Sequence, residues 1–74
     1  MIYTLTDMGG RVVERGTVLS RPMLTNRVMQ VFPGSRGAAG IGDTANTYGL
    51  IMNWGAELLG HWRIEGSEEV AIDD

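Results

Sequence analysis

The sequence predicts a mainly β fold: a small antiparallel barrel or strongly bent sheet of five to six short strands. Three observations point there. Ile2-Tyr3-Thr4-Leu5-Thr6 is rich in strand formers and alternates Ile2 and Thr4 against Tyr3 and Leu5. Two further alternating runs flank Gly55-Ala56, with Tyr48, Leu50, Met52 and Trp54 on one face of the first and Leu58, Gly60, Trp62 and Ile64 on one face of the second. The chain has 74 residues, room for one core only, and closing consecutive hairpins into a barrel removes their sticky edges.

The elements follow in order. Met8-Gly9-Gly10 turns the first strand back into Arg11–Leu19, with both glycines able to take positive φ. Gly16, inside this second strand, suggests a bulge or bend. Residues 20–32 admit two readings. Ser20 and Pro22 suit the start of a short helix carrying Leu24, Val28 and Phe32 on one face. The β-branched and aromatic content of Arg27–Phe32 favours a third strand instead. Residues 33–42 hold four glycines and read as a mobile loop.

Residues 44–64 also match a helical stripe, capped by Asp43, which would make the fold α+β with a helix near 44–63. Gly49, Gly55 and Gly60 would each cost that helix about 0.8–1 kcal/mol, so the hairpin is preferred. On its second strand His61, Arg63 and Glu65 form the polar face expected of a half-buried antiparallel strand. Gly66-Ser67 turns, Glu69–Ile72 suits a short closing strand, and Asp73 and Asp74 fray. The division is thus a β domain over 1–66 and an acidic segment over 67–74.

Composition removes whole classes of chemistry. With no cysteine there is no disulfide framework, thiol catalysis or cysteine zinc site. With no lysine there is no Schiff base and no P-loop. No apolar run approaches the roughly 18 residues of a membrane span. Met1-Ile2-Tyr3-Thr4 lacks the basic and apolar segments of a signal peptide, so the expected compartment is the cytoplasm, or a virus particle.

The net charge of −3 hides a segregation. Arg11, Arg15, Arg21, Arg27 and Arg36 face a single acid, Glu14, within residues 11–36, whereas residues 57–74 set Glu57, Glu65, Glu68, Glu69, Asp73 and Asp74 against Arg63. Such halves pair within one chain or attract head to tail between copies.

Candidate sites are few. His61 is the single histidine, and Ser20, Ser35 and Ser67 stand in no nucleophile motif. The acidic segment lacks the ligand spacing of a calcium loop. Gly37-Ala38-Ala39-Gly40-Ile41-Gly42 lacks the order and the βαβ setting of a dinucleotide fingerprint. No metal or cofactor is expected. Of Trp54 and Trp62, one is expected in the core and one partly exposed, and an exposed indole beside Arg63 has the composition of an interface hot spot.

The expectation is a non-enzymatic module that docks on itself or on another protein through Trp62, Arg63, Arg36 and Tyr48. A repeated structural subunit or a small inhibitor, roles common in phages and mobile elements, would fit that description. The alternative is a nucleic-acid-binding small barrel using Arg11, Arg15, Arg21 and Arg27, against which the acidic pI near 4.9 argues. A third class, an enzyme whose site forms between subunits around His61, stands behind both.

Overall fold

The computed structural model describes residues 1–65. The proposed closing strand and the acidic segment 67–74 lie outside the described residues. The element order is β1 (Ile2–Asp7), β2 (Val12–Thr17), α1 (Arg21–Val31), β3 (Ser35–Ala38), β4 (Tyr48–Asn53) and β5 (Leu58–Glu65). The fold is mainly β. The five strands form one antiparallel sheet in the order β2-β1-β5-β4-β3. Among the described residues the sheet is not closed, and β2 and β3 are its two edges, so of the expected barrel or strongly bent sheet the barrel is corrected to an open sheet.

Both predicted hairpins form. Between β1 and β2, the Asp7 carboxylate accepts the Gly9 and Arg11 N–H groups, and Gly10 takes φ +85°. The bulge falls opposite Leu5 and Thr6, not at Gly16. Gly16 serves another end. The Tyr3 ring lies across it, and a Cβ there would come within 2.8 Å of the Tyr3 hydroxyl oxygen.

Residues 21–31 are a helix, which corrects the favoured strand. The Ser20 hydroxyl accepts the Met23 N–H at the N-cap, and Pro22 sits in the first turn. Leu24 and Val28, four residues apart, both become fully buried. Each such burial is worth about 1.5–3 kcal/mol, against a few tenths for a β-branched residue in a helix. Burial therefore outweighs the strand propensity of Val28 and Val31. The 33–42 loop is corrected too. Ser35–Ala38 pairs with β4 as the short edge strand β3, and Ser35, Gly37 and Ala38 are buried.

One face of the sheet carries the core. Tyr3 and Leu5 of β1, Ile51 of β4, and Trp62 and Ile64 of β5 meet Leu24 and Val28 of α1, with Val18 and Ala38 completing the set. A polar clamp fastens α1 to the edge of the same face. Arg27 binds both Glu14 oxygens, and the Tyr3 hydroxyl donates to the same carboxylate. The Arg27 hydrogen bond, seconded by Tyr3, holds the Glu14 carboxyl at about 2, below its usual 4.5. Burial, then the Glu14 carboxylate, pushes the Tyr3 phenol up.

This clamp makes stability depend on acid. A carboxyl depressed in the fold contributes fully above its unfolded value and loses that contribution as pH falls through the folded one. The melting temperature is therefore expected to drop between pH 4.5 and about 2, and Glu14→Gln flattens that part of the profile. The effect is modest, since Arg27 is 44% exposed and water screens the pair. Equal acid profiles for the two proteins would dismiss the clamp.

Candidate functional site

Among the described residues one helix covers one face of the sheet, and nothing covers the other. Direct cross-strand partners share a face, so the register shows which side chains it displays. One row runs Arg15, Thr4, Arg63, Tyr48 from β2 to β4, and its neighbour runs Thr6, His61, Leu50. On β3, Ser35 and Gly37 turn inward and Arg36 is exposed between them. Thr4, Thr6, Val12, Arg15, Tyr48, His61, Arg63 and Glu65 line a shallow groove of about 510 Å³ on this face.

At one end of the face stands the β4–β5 turn. It is braced by Asn53, whose side-chain oxygen accepts the Gly55 and Glu57 N–H groups while its amide donates to the Glu57 carboxylate. Ala56 completes the turn at φ 66°, a conformation that favours glycine. The braced turn presents Trp54 at 79% exposure, and the Arg36 guanidinium lies 5.9 Å from its ring centroid.

The two tryptophans thus divide as expected, one inside and one outside, but the assignment is the reverse. Trp62 is corrected from a contact to a core residue. It is 1% exposed, and its indole N–H donates to the Ala39 carbonyl at 3.0 Å. The reason is the alternation itself: His61, Arg63 and Glu65 point outward, which turns Trp62 inward with Gly60 and Ile64. Sequence reasoning passed over Trp54 as a contact. Its signal was its place beside Gly55-Ala56, at a turn that no core surrounds. The other three contact residues hold exposed positions, with Tyr48 at 71%.

The arginines of the nucleic-acid alternative are not brought together. Arg11 lies in the first turn and Arg15 on the open face. Arg21 is spent on the carbonyls of Ile41, Asp43 and Thr44, and Arg27 on Glu14. No single track joins the four.

His61 faces Thr6 and Leu50 across the strands, while Ser20 caps α1 and Ser35 is buried on β3. The histidine therefore has no serine beside it among the described residues. Nor, among those residues, do three His, Asp or Glu side chains gather as metal ligands. No helix there is long and apolar enough to cross a membrane.

What the arrangement offers is a surface. Tyrosine, tryptophan and arginine are the residue types that concentrate binding energy at protein interfaces. Compared with family models, with curated proteins and with solved structures, the chain matches none.

Proposed function

We propose that the protein is a non-enzymatic docking module whose uncovered sheet face binds a protein surface. Trp54, Tyr48, Arg36 and Arg63 are its contacts. The observation that carries this reading is Trp54, a large indole 79% exposed yet held in place by the Asn53-braced turn and by Arg36. The fold gains little from an indole in that position. A partner gains much, because a pre-positioned aromatic gives up little conformational freedom on binding.

The test compares wild type with Tyr48→Ser/Trp54→Ser and with Leu19→Ser. Leu19 is 86% exposed and outside the strands of the face, so it serves as the control. Association is read by light scattering after size exclusion and by affinity capture from the source cell. The double variant stays folded and loses association by about 30-fold or more, the effect of removing a hot spot of 2 kcal/mol. Leu19→Ser leaves it unchanged. Association that survives in the double variant, or falls equally in the control, removes the open face as the docking surface.

A further inference from the structure

We infer that the outer edge of β2 is a second docking site and that it takes an extended segment of a foreign protein as an added strand. The inference goes beyond the uncovered face and uses none of the contacts assigned there.

The hydrogen-bond register of the first hairpin carries it. Met1 and Val18 exchange both backbone bonds, each at 3.0 Å. Bonded and non-bonded pairs alternate along an antiparallel ladder. Tyr3 and Gly16 are therefore the next bonded pair, whereas Arg15 and Thr17, opposite Thr4 and Ile2, turn their N–H and C=O groups away from β1. β2 is an edge of the sheet, and among the described residues those outward groups have no hydrogen-bond partner. Two such residues, spaced by two, offer the donors and acceptors that another extended backbone matches. The strand carries neither proline nor lysine, two common guards against strand addition, and Val12 and Val13 are exposed on it. The other edge, β3, is shorter, and its pairing is irregular between Ser35 and Ala38.

Beside the edge of β2, towards α1, lies a groove of about 380 Å³. It is lined by Tyr3, Val18 and four residues of α1: Met23, Asn26, Arg27 and Gln30. Directly opposed residues share a face, so Gly16 lies on the α1 side with Tyr3. Gly16 raises no side chain there, and the Tyr3 ring lies across it. A partner residue opposite Gly16 thus reaches the groove, where an apolar side chain meets the Tyr3 ring and the exposed Met23. The backbone ladder supplies affinity and this groove the selection.

A second copy of β2 fits the edge poorly. Antiparallel pairing in one continuous sheet opposes residues whose numbers sum to an even value, because opposed residues share a face. The two registers that pair most of Val12–Thr17 set Glu14 opposite Glu14 or Arg15 opposite Arg15. Like charges directly opposed destabilise a strand pair. A foreign strand carries no such constraint.

The experiment uses the full chain and a displayed library of peptides of about nine residues, the length of a long strand, with apolar residues at alternate positions. Selected peptides shift the Arg15 and Thr17 amide resonances and leave those of Tyr48 and Trp54 in place. Thr17→Pro removes an outward N–H that β1 does not use, a change that an edge strand tolerates. It weakens the selected peptides about tenfold or more, the effect of a lost backbone bond whose acceptor stays buried. Thr17→Ala keeps the N–H and changes affinity by about twofold at most. Met23→Glu charges the groove from α1 without touching the strand and weakens the same peptides by a similar factor, so the test stands even if Thr17→Pro fails to fold.

A library that yields no binder overturns the inference. So do peptides that bind folded Thr17→Pro, or Met23→Glu, as tightly as wild type. Slow hydrogen exchange at Arg15 and Thr17 in the isolated protein overturns it too. If independent of concentration, that protection means that the chain's own residues hold the edge; if it grows with concentration, a second copy does. Peptides that move Tyr48 and Trp54 instead assign strand capture to the uncovered face. Each result leaves the docking reading to Tyr48→Ser/Trp54→Ser, which does not touch this edge.

Discussion

Trp62→Ala is expected to destabilise the domain by about 3–5 kcal/mol, the range for emptying a large aromatic site. Small domains have about 5–15 kcal/mol in total, and one this short sits low in that range, so much of the variant unfolds. The indole is the largest fully buried side chain. It crosses from β5 onto β4, and its N–H closes on the Ala39 carbonyl at 3.0 Å. Alanine leaves a cavity and also removes the donor from that carbonyl. Urea unfolding followed by circular dichroism measures the loss. Trp54→Ala, by contrast, stays within about 0.5 kcal/mol of wild type, as an exposed substitution should. A Trp62→Ala protein as stable as wild type would contradict the placement of the ring. The pair of variants also separates roles, since Trp62 reports on folding and Trp54 on docking.

Gly49→Ala is expected to cost about 1–3 kcal/mol by overpacking, at a position that a pattern of strand formers would fill with something larger. A Cβ on Gly49 would stand 2.5 Å from the Ala39 carbonyl oxygen and 2.6 Å from Trp62 Nε1. These two atoms are the partners of the indole hydrogen bond, so the added methyl wedges between them. One of the two obstacles is backbone and has little room to retreat. The cost is therefore tied to Trp62. In a Trp62→Leu background the same substitution costs less, and a double-mutant cycle gives a coupling of about 1 kcal/mol or more. Additive effects would mean that Gly49 acts through strand propensity alone.

Much of this fold was legible in the residues. The β1–β2 hairpin declared itself through Tyr3 and Leu5 on one side and a glycine pair at the turn. The β4–β5 hairpin did so through the polar series His61, Arg63, Glu65. Those signals are local and periodic, so they survive without tertiary knowledge.

The helix was less visible. Val28, Val31 and Phe32 favour a strand by propensity, and only the sheet beneath Leu24 and Val28 tips the balance. β3 was hidden for a similar reason. Ser35, Gly37 and Ala38 are small residues that acquire a buried role only once α1 lies over them, as the approach of Thr25 to Gly37 shows. For the candidate site, Tyr48, Arg36 and Arg63 were named from residue type and indeed sit at exposed positions. The error over Trp62 came from ranking it by its neighbour Arg63. Its own place in the alternation already pointed inward.

The pairing of β1 with β5 has a consequence for how the molecule assembles. The two hairpins close over short turns and need little search. The seam that joins them, from Ile2 opposite Glu65 to Asp7 opposite Gly60, unites the first and last strands of the described residues, in the middle of the sheet. Contacts so distant along the chain slow folding, because their entropy is lost before their contacts are won. The centre of the sheet is thus the last part to exist and the part on which both halves depend. The shared core over which α1 closes is complete only when the two ends of the described chain have met.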